Sequence, residues 1–200
     1  MKKIIALALC AAMCIPFAAC GGEAEGTIEV IESTEATTEA VTEKAEPLAP
    51  VSDLAGTATE VEKLLSSLKA GDVDTIVAIS GSDAILSDAL LMEMLTGMFS
   101  KLEYTVGTPV DNGDGTASVP VNVSAVSINS LFTEYMMEAA KHVDDESWDE
   151  DGSYFIELCT SDKVAKDTKD VTVNFEKVDG MWVRSESEEF VNALFGGILG

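Results

Sequence analysis

The side chains able to do chemistry are few and scattered along the chain. Arg184 is the one arginine in 200 residues and follows Trp182 by two places in an alternating apolar stretch. If Asp179 and Gly180 form a two-residue turn, Lys177 lies opposite Trp182 and Phe175 opposite Arg184, so that Trp182 and Arg184 share the face of Val171, Val173 and Phe175. A guanidinium beside an indole offers paired hydrogen bonds to a carboxylate or phosphate group. The competing arrangement is an arginine at a strand end that reaches out to one of many surface acids. His142, the one histidine, stands beside Lys141 and ahead of Asp144 and Asp145. There its cation suits the last turn of a helix, and general-base work would need a partner that no spacing identifies. Cys159 has no local motif and reads as a small buried apolar side chain.

The acidic run Asp144 to Asp151 invites comparison with a calcium loop. With Ser147, Asp149, Asp151 and Gly152 at the first, third, fifth and sixth positions, the twelfth falls on Leu158, where a bidentate Glu is required. The run therefore reads as solvated charge, with a loose calcium site as the lesser alternative. Asp111 to Gly115 reads as a turn. The chain has no phosphate loop, no zinc spacing and no serine-nucleophile elbow, and no cofactor is expected.

Cys20 has the clearest assignment. Lys2 and Lys3 precede an apolar run of 16 residues, Ile4 to Ala19, which ends in Phe17, Ala18, Ala19, Cys20 and then Gly21. The run is shorter than the ~20 residues a spanning helix needs. The pattern resembles a bacterial lipoprotein leader, with Phe17 where an aliphatic residue is usual. The resemblance implies cleavage after residue 19 and a diacylglyceryl thioether on Cys20, which would hold the chain at the outer face of the bacterial cytoplasmic membrane. Plain secretion with cleavage near Ala19 is the alternative. Cys10 and Cys14 would leave with the leader.

Twelve Lys and Arg oppose 36 Asp and Glu, for a net charge of −24. A nucleic-acid groove or a patch for anionic lipid is hard to build from so few cations. Between residues 20 and 51 the chain alternates Glu with Thr, Ala and Ser and closes on Pro47 and Pro50. This composition predicts an extended acidic tether and a folded domain over 52–200.

Within 52–200, Leu54, Ala58, Val61, Leu65 and Leu68 recur at helical spacing up to Gly71, and Asp72 is placed to cap a second helix. A third helix is expected from about Asp83 to Ser100. The period then becomes two: Leu102 to Val106 and Val119 to Ala125 predict a hairpin, with Pro120 marking an edge or a bulge. Helices are expected from about Ser130 to Val143 and from Tyr154 to about Lys166. A second hairpin turns at Asp179-Gly180, and Ser185 with Glu188 suggests a capping box for a terminal helix.

Leader, tether, helices and the stretch from Val171 to Val183 with its Asp179-Gly180 turn and Trp182 together resemble Gram-positive (Firmicutes-type) surface lipoproteins with a nuclear transport factor 2-like or cystatin-like domain. That resemblance implies an α+β fold: a curved antiparallel sheet packed against N-terminal helices, with a helical insertion between the two hairpins. It also implies a sheet pocket; the hairpin register would set Trp182 and Arg184 at its mouth, Arg184 standing where the group usually has an aliphatic residue, and Tyr104 would face it, so these three are the expected ligand-binding residues. The fold hosts enzymes, carriers and silent interaction domains alike. The expected function is a non-catalytic, lipid-anchored domain binding a small ligand, a peptide or an envelope protein. A pocket isomerase or hydrolase, or an accessory subunit of a membrane complex, are the alternatives.

Overall fold

The computed structural model describes residues 49–81, 86, 88–145, 147–185 and 187–197; the leader, Cys20 and the tether up to residue 48 lie outside the described residues. Among the described residues no helix is long and apolar enough to cross a membrane.

Among the described residues three α-helices come first. In α1 (Leu54–Lys69) the Asp53 carboxylate accepts from the Gly56 N–H, and in α2 (Val73–Ser80) Asp72 accepts from Thr75, so each opens on a short acid that satisfies an orphan donor. α3 (Ala89–Ser100) starts later than about Asp83, at an Asp88 cap. α1 packs on α3, with Val61, Leu65 and Leu68 of the first and Leu95 and Phe99 of the second buried in the core, where Met94 and Met98 are 1% and 4% exposed.

The strands are β1 (Glu103–Val106), β2 (Val110–Asp111), β3 (Thr116–Val126), β4 (Lys166–Val178) and β5 (Met181–Arg184). They form one curled antiparallel sheet in the order β1-β3-β4-β5, with β2 extending the β1 edge along β3. Pro120 sits in β3, a central strand. Its carbonyl accepts from the Gly107 N–H at 2.8 Å, so its missing donor faces the same side, where the edge is interrupted between Val106 and Val110. The irregularity announced by the proline therefore belongs to the neighbouring strand. At the second hairpin, Asp179 (φ 51°) and Gly180 (φ 84°) form the two-residue turn with both residues left-handed, and Phe175 pairs with Arg184 and Lys177 with Trp182.

A helical insertion joins β3 to β4: α4 (Ile128–Ala139), a 3₁₀ turn (Ala140–His142) and α5 (Ser153–Thr160). α5 ends at Thr160, well before Lys166: residues 161–165 are turn and loop, and β4 begins at Lys166. Lys166, Thr168 and Asp170 are polar and show no apolar alternation, and tertiary pairing holds them as strand: Lys166 Nζ to Glu103 at 2.6 Å, Thr168 to Ser124 at 2.9 Å and Asn122 to Asp170 at 2.7 Å. The terminal helix α6 (Glu188–Leu194) is capped by Ser187, which accepts from Phe190, two residues beyond the expected Ser185. α1, α3 and α6 cover one face of the sheet, giving the α+β architecture with the insertion between its hairpins.

Candidate functional site

The covered face of the sheet is closed. Val119, Val173, Phe175 and Phe190 are 0% exposed, and Phe99 at 2% joins them. Trp182 and Arg184 do share the face of Phe175, as the turn predicts. Trp182 is 3% exposed, with Lys177 Nζ 5.1 Å from its ring centroid, so the indole is a packed wall with a cation over it. Arg184 is half-buried at the strand end. Tyr104 pairs with Val123 on the opposite edge strand, whereas Arg184 lies across β4 from Ala117. Six residues of β3 and three strand spacings separate them, about 20 Å along the sheet and about 14 Å across it. The three residues expected to line one pocket do not converge.

A different group does converge, on the insertion. Tyr135 of α4 lies 5.2 Å from Phe155 and 6.4 Å from Tyr154 of α5, and 5.5 Å from Trp148 in the loop between them. Trp148 also meets Tyr154 at 5.5 Å and carries His142 stacked on it, 4.9 Å away and 4° from parallel; Phe132 closes the cluster against Phe155 at 5.7 Å. None of these rings is fully buried. The cluster is held against α3 because Gly97 lets α5 approach closely: a Cβ on Gly97 would stand 3.2 Å from Cys159 Cβ. Beside it, Met136, Met137 and Val143 are 62%, 53% and 74% exposed.

The acidic loop serves the same construction. α5 begins after Gly152, which has no side chain to cap it, and Asp149 supplies the acceptor by taking the Tyr154 N–H at 2.7 Å while Asp151 takes that of Ser153. Asp145 accepts from the backbone and hydroxyl of Ser147. These carboxylates are engaged as turn and helix caps, and no three His, Cys, Asp or Glu side chains among the described residues gather as metal ligands. Burial, and then the Asp149 charge beside it, push the Tyr135 phenol up to about 12. Cys159 is fully buried, its thiol donates to the Phe155 carbonyl, and burial pushes its pKa up to about 12, so it presents no thiolate at neutral pH. His142 Nε2 lies 3.6 Å from Glu138, which is also held by Lys141 at 2.7 Å. The cluster was legible only as density: Phe132, Tyr135, Trp148, Tyr154 and Phe155 fall within 24 residues.

Neither a family model nor a curated protein matches the chain. Among solved structures, that of a candidate lipoprotein, YcdA, from Bacillus subtilis subsp. subtilis str. 168 is similar, at 17% identity and a TM-score of 0.40, over 69% of this chain. The similarity takes in 46% of the Bacillus chain. A likeness so loose assigns no function, and the resemblance to the nuclear transport factor 2-like group gains no support from it.

Proposed function

We propose that this chain is a lipid-anchored extracytoplasmic protein whose α+β domain binds an envelope partner through the insertion, without catalysis. The observation that carries the reading is the contrast between a sealed sheet face and the apolar side chains of Met136, Met137 and Val143 left in solvent beside five aromatic rings. A sealed face leaves little room for a small ligand. Nor do the acids favour an enzyme: Glu103, Glu138 and Asp162 are held below their usual range by hydrogen bonds from Lys166, Lys141 and Lys101, and Asp72, Asp114, Asp145 and Asp151 by hydrogen bonds from neighbouring Thr or Ser residues, whereas a general acid at neutral pH needs the opposite shift.

The point of attachment supports the same reading. Val51 pairs with Trp182 through two backbone hydrogen bonds of 3.0 and 2.7 Å, so the chain enters the domain at the β5 edge, level with the start of β3. The insertion leaves from the other end of β3, roughly 30 Å along the strand. The end that binds is thus remote from the end that is tethered. Anchoring itself rests on Lys2, Lys3, the apolar run and Cys20.

A photo-cross-linking side chain placed at Met136 in the native host tests the partner. A discrete adduct from position 136, and none from the equally exposed Val178 on the distant hairpin, is the expected result; no adduct from either would overturn it. Mass analysis of the mature N-terminus tests the anchor, and an unmodified terminus would remove it.

A further inference from the structure

Resting on that reading of the insertion, we infer that its partner is a cationic, amphipathic protein segment, one that lays aliphatic side chains on Met136, Met137 and Val143 and presents lysines or arginines to the acids around them. Over residues 128–160 the chain carries nine acids against Lys141, and Lys141 is already paired with Glu138 at 2.7 Å. Glu134, Asp144, Asp145 and Glu150 bracket the exposed Met136, Met137 and Val143 in chain order, an acidic rim to an apolar centre along the sequence. Such a rim steers and selects cations, and the half-exposed faces of Trp148 and Tyr154 add quadrupoles that favour them. Methionine adapts to varied aliphatic surfaces, which suits the apolar side of a helix laid along the patch.

The same charge argues against the other occupants. The chain's own tether carries Glu29, Glu32, Glu35, Glu39, Glu43 and Glu46 with Lys44 as its one cation, so it is repelled. A second copy brings the same −24, and an anionic lipid surface brings the same sign.

The test uses the full mature chain in detergent and a synthetic helical peptide of leucine and lysine, read through the emission of Trp148 and by calorimetry. Binding should weaken steeply with added salt, and Met136→Gln with Met137→Gln should weaken it about tenfold, while Val178→Gln leaves it unchanged. Equal binding of the matching leucine-glutamate peptide, or a double glutamine variant that binds as the parent does, would overturn the inference. So would a dimer that forms with concentration and is lost in that variant, or a preference for anionic over neutral vesicles that the variant loses. A cross-linked partner from position 136 whose contacting segment lacks basic residues would leave the proposed function standing and sink this inference alone.

Discussion

On the covered face of the sheet, Val119, Val173 and Phe175, with Phe190 of α6, are wholly withdrawn from water. On the insertion, rings of the same size are left half in solvent, stacked on one another and edged with carboxylates. The two regions use aromatic and aliphatic groups for opposite ends. The first turns apolar area into stability, and the second leaves part of it available, its rings held by contacts of about 0.5–1.5 kcal/mol each and by the packing of α5 on α3.

The sharpest way to break the comparison is to cut both regions equally deep. Phe175→Ala should cost about 3–5 kcal/mol and shift the whole denaturant transition, because a sealed face cannot collapse around the void. Tyr135→Ala should cost clearly less; an equal loss would mean that the insertion is core after all. A smaller effect is expected at the junction between the two. Gly97→Val puts a branched side chain where Cys159 and Thr160 already touch, and should cost about 1–3 kcal/mol. Trp148 should become more accessible to acrylamide while Trp182 stays protected, and equal exposure of both would deny the two regions separate stabilities.

Alkali offers a gentler probe. Cys159 and Tyr135 stay protonated in the folded chain up to about 12, against ordinary values of 9.0 and 10.0. Their contribution is full below those ordinary values and is lost as pH rises toward 12, because only the unfolded chain releases the protons. Melting temperature should therefore fall above about pH 9, and Cys159→Ala with Tyr135→Phe should flatten that fall. In the same range Cys159 should react with a thiol reagent only on unfolding. The smallest effect on the fold is expected where the effect on binding is largest: Met136→Gln with Met137→Gln should change stability by less than about 0.5 kcal/mol.

Much of the scaffold was legible because it is written locally. Asp53 and Asp72 cap helices three residues ahead, Asp179-Gly180 sets the register of its hairpin, and Val119 to Val123 alternate in and out. Between the insertion and Val171 the sequence names no element, and there a distant strand decides. Lys166 to Asp170 carry no apolar alternation and become strand only because Asn122, Ser124 and Glu103 pair with them. The candidate site was less legible still. The resemblance puts Tyr104 and Arg184 in one pocket, but β3 and β4 hold them at far corners of the same sheet face.

By itself, then, the sequence determined the caps, the turns, the alternating strands, the α+β class and the acidity, since each depends on neighbours within a few residues or on composition alone. It also carries the leader pattern that ends at Cys20. Only the tertiary structure decided which apolar groups would stay in water. Phe175 and Met136 are both apolar; α6 and the core cover the first, while no described side chain buries the second. Burial belongs to whatever packs on a residue from far along the chain, and for that reason the patch on the insertion could be found only once the helices and strands were set against one another.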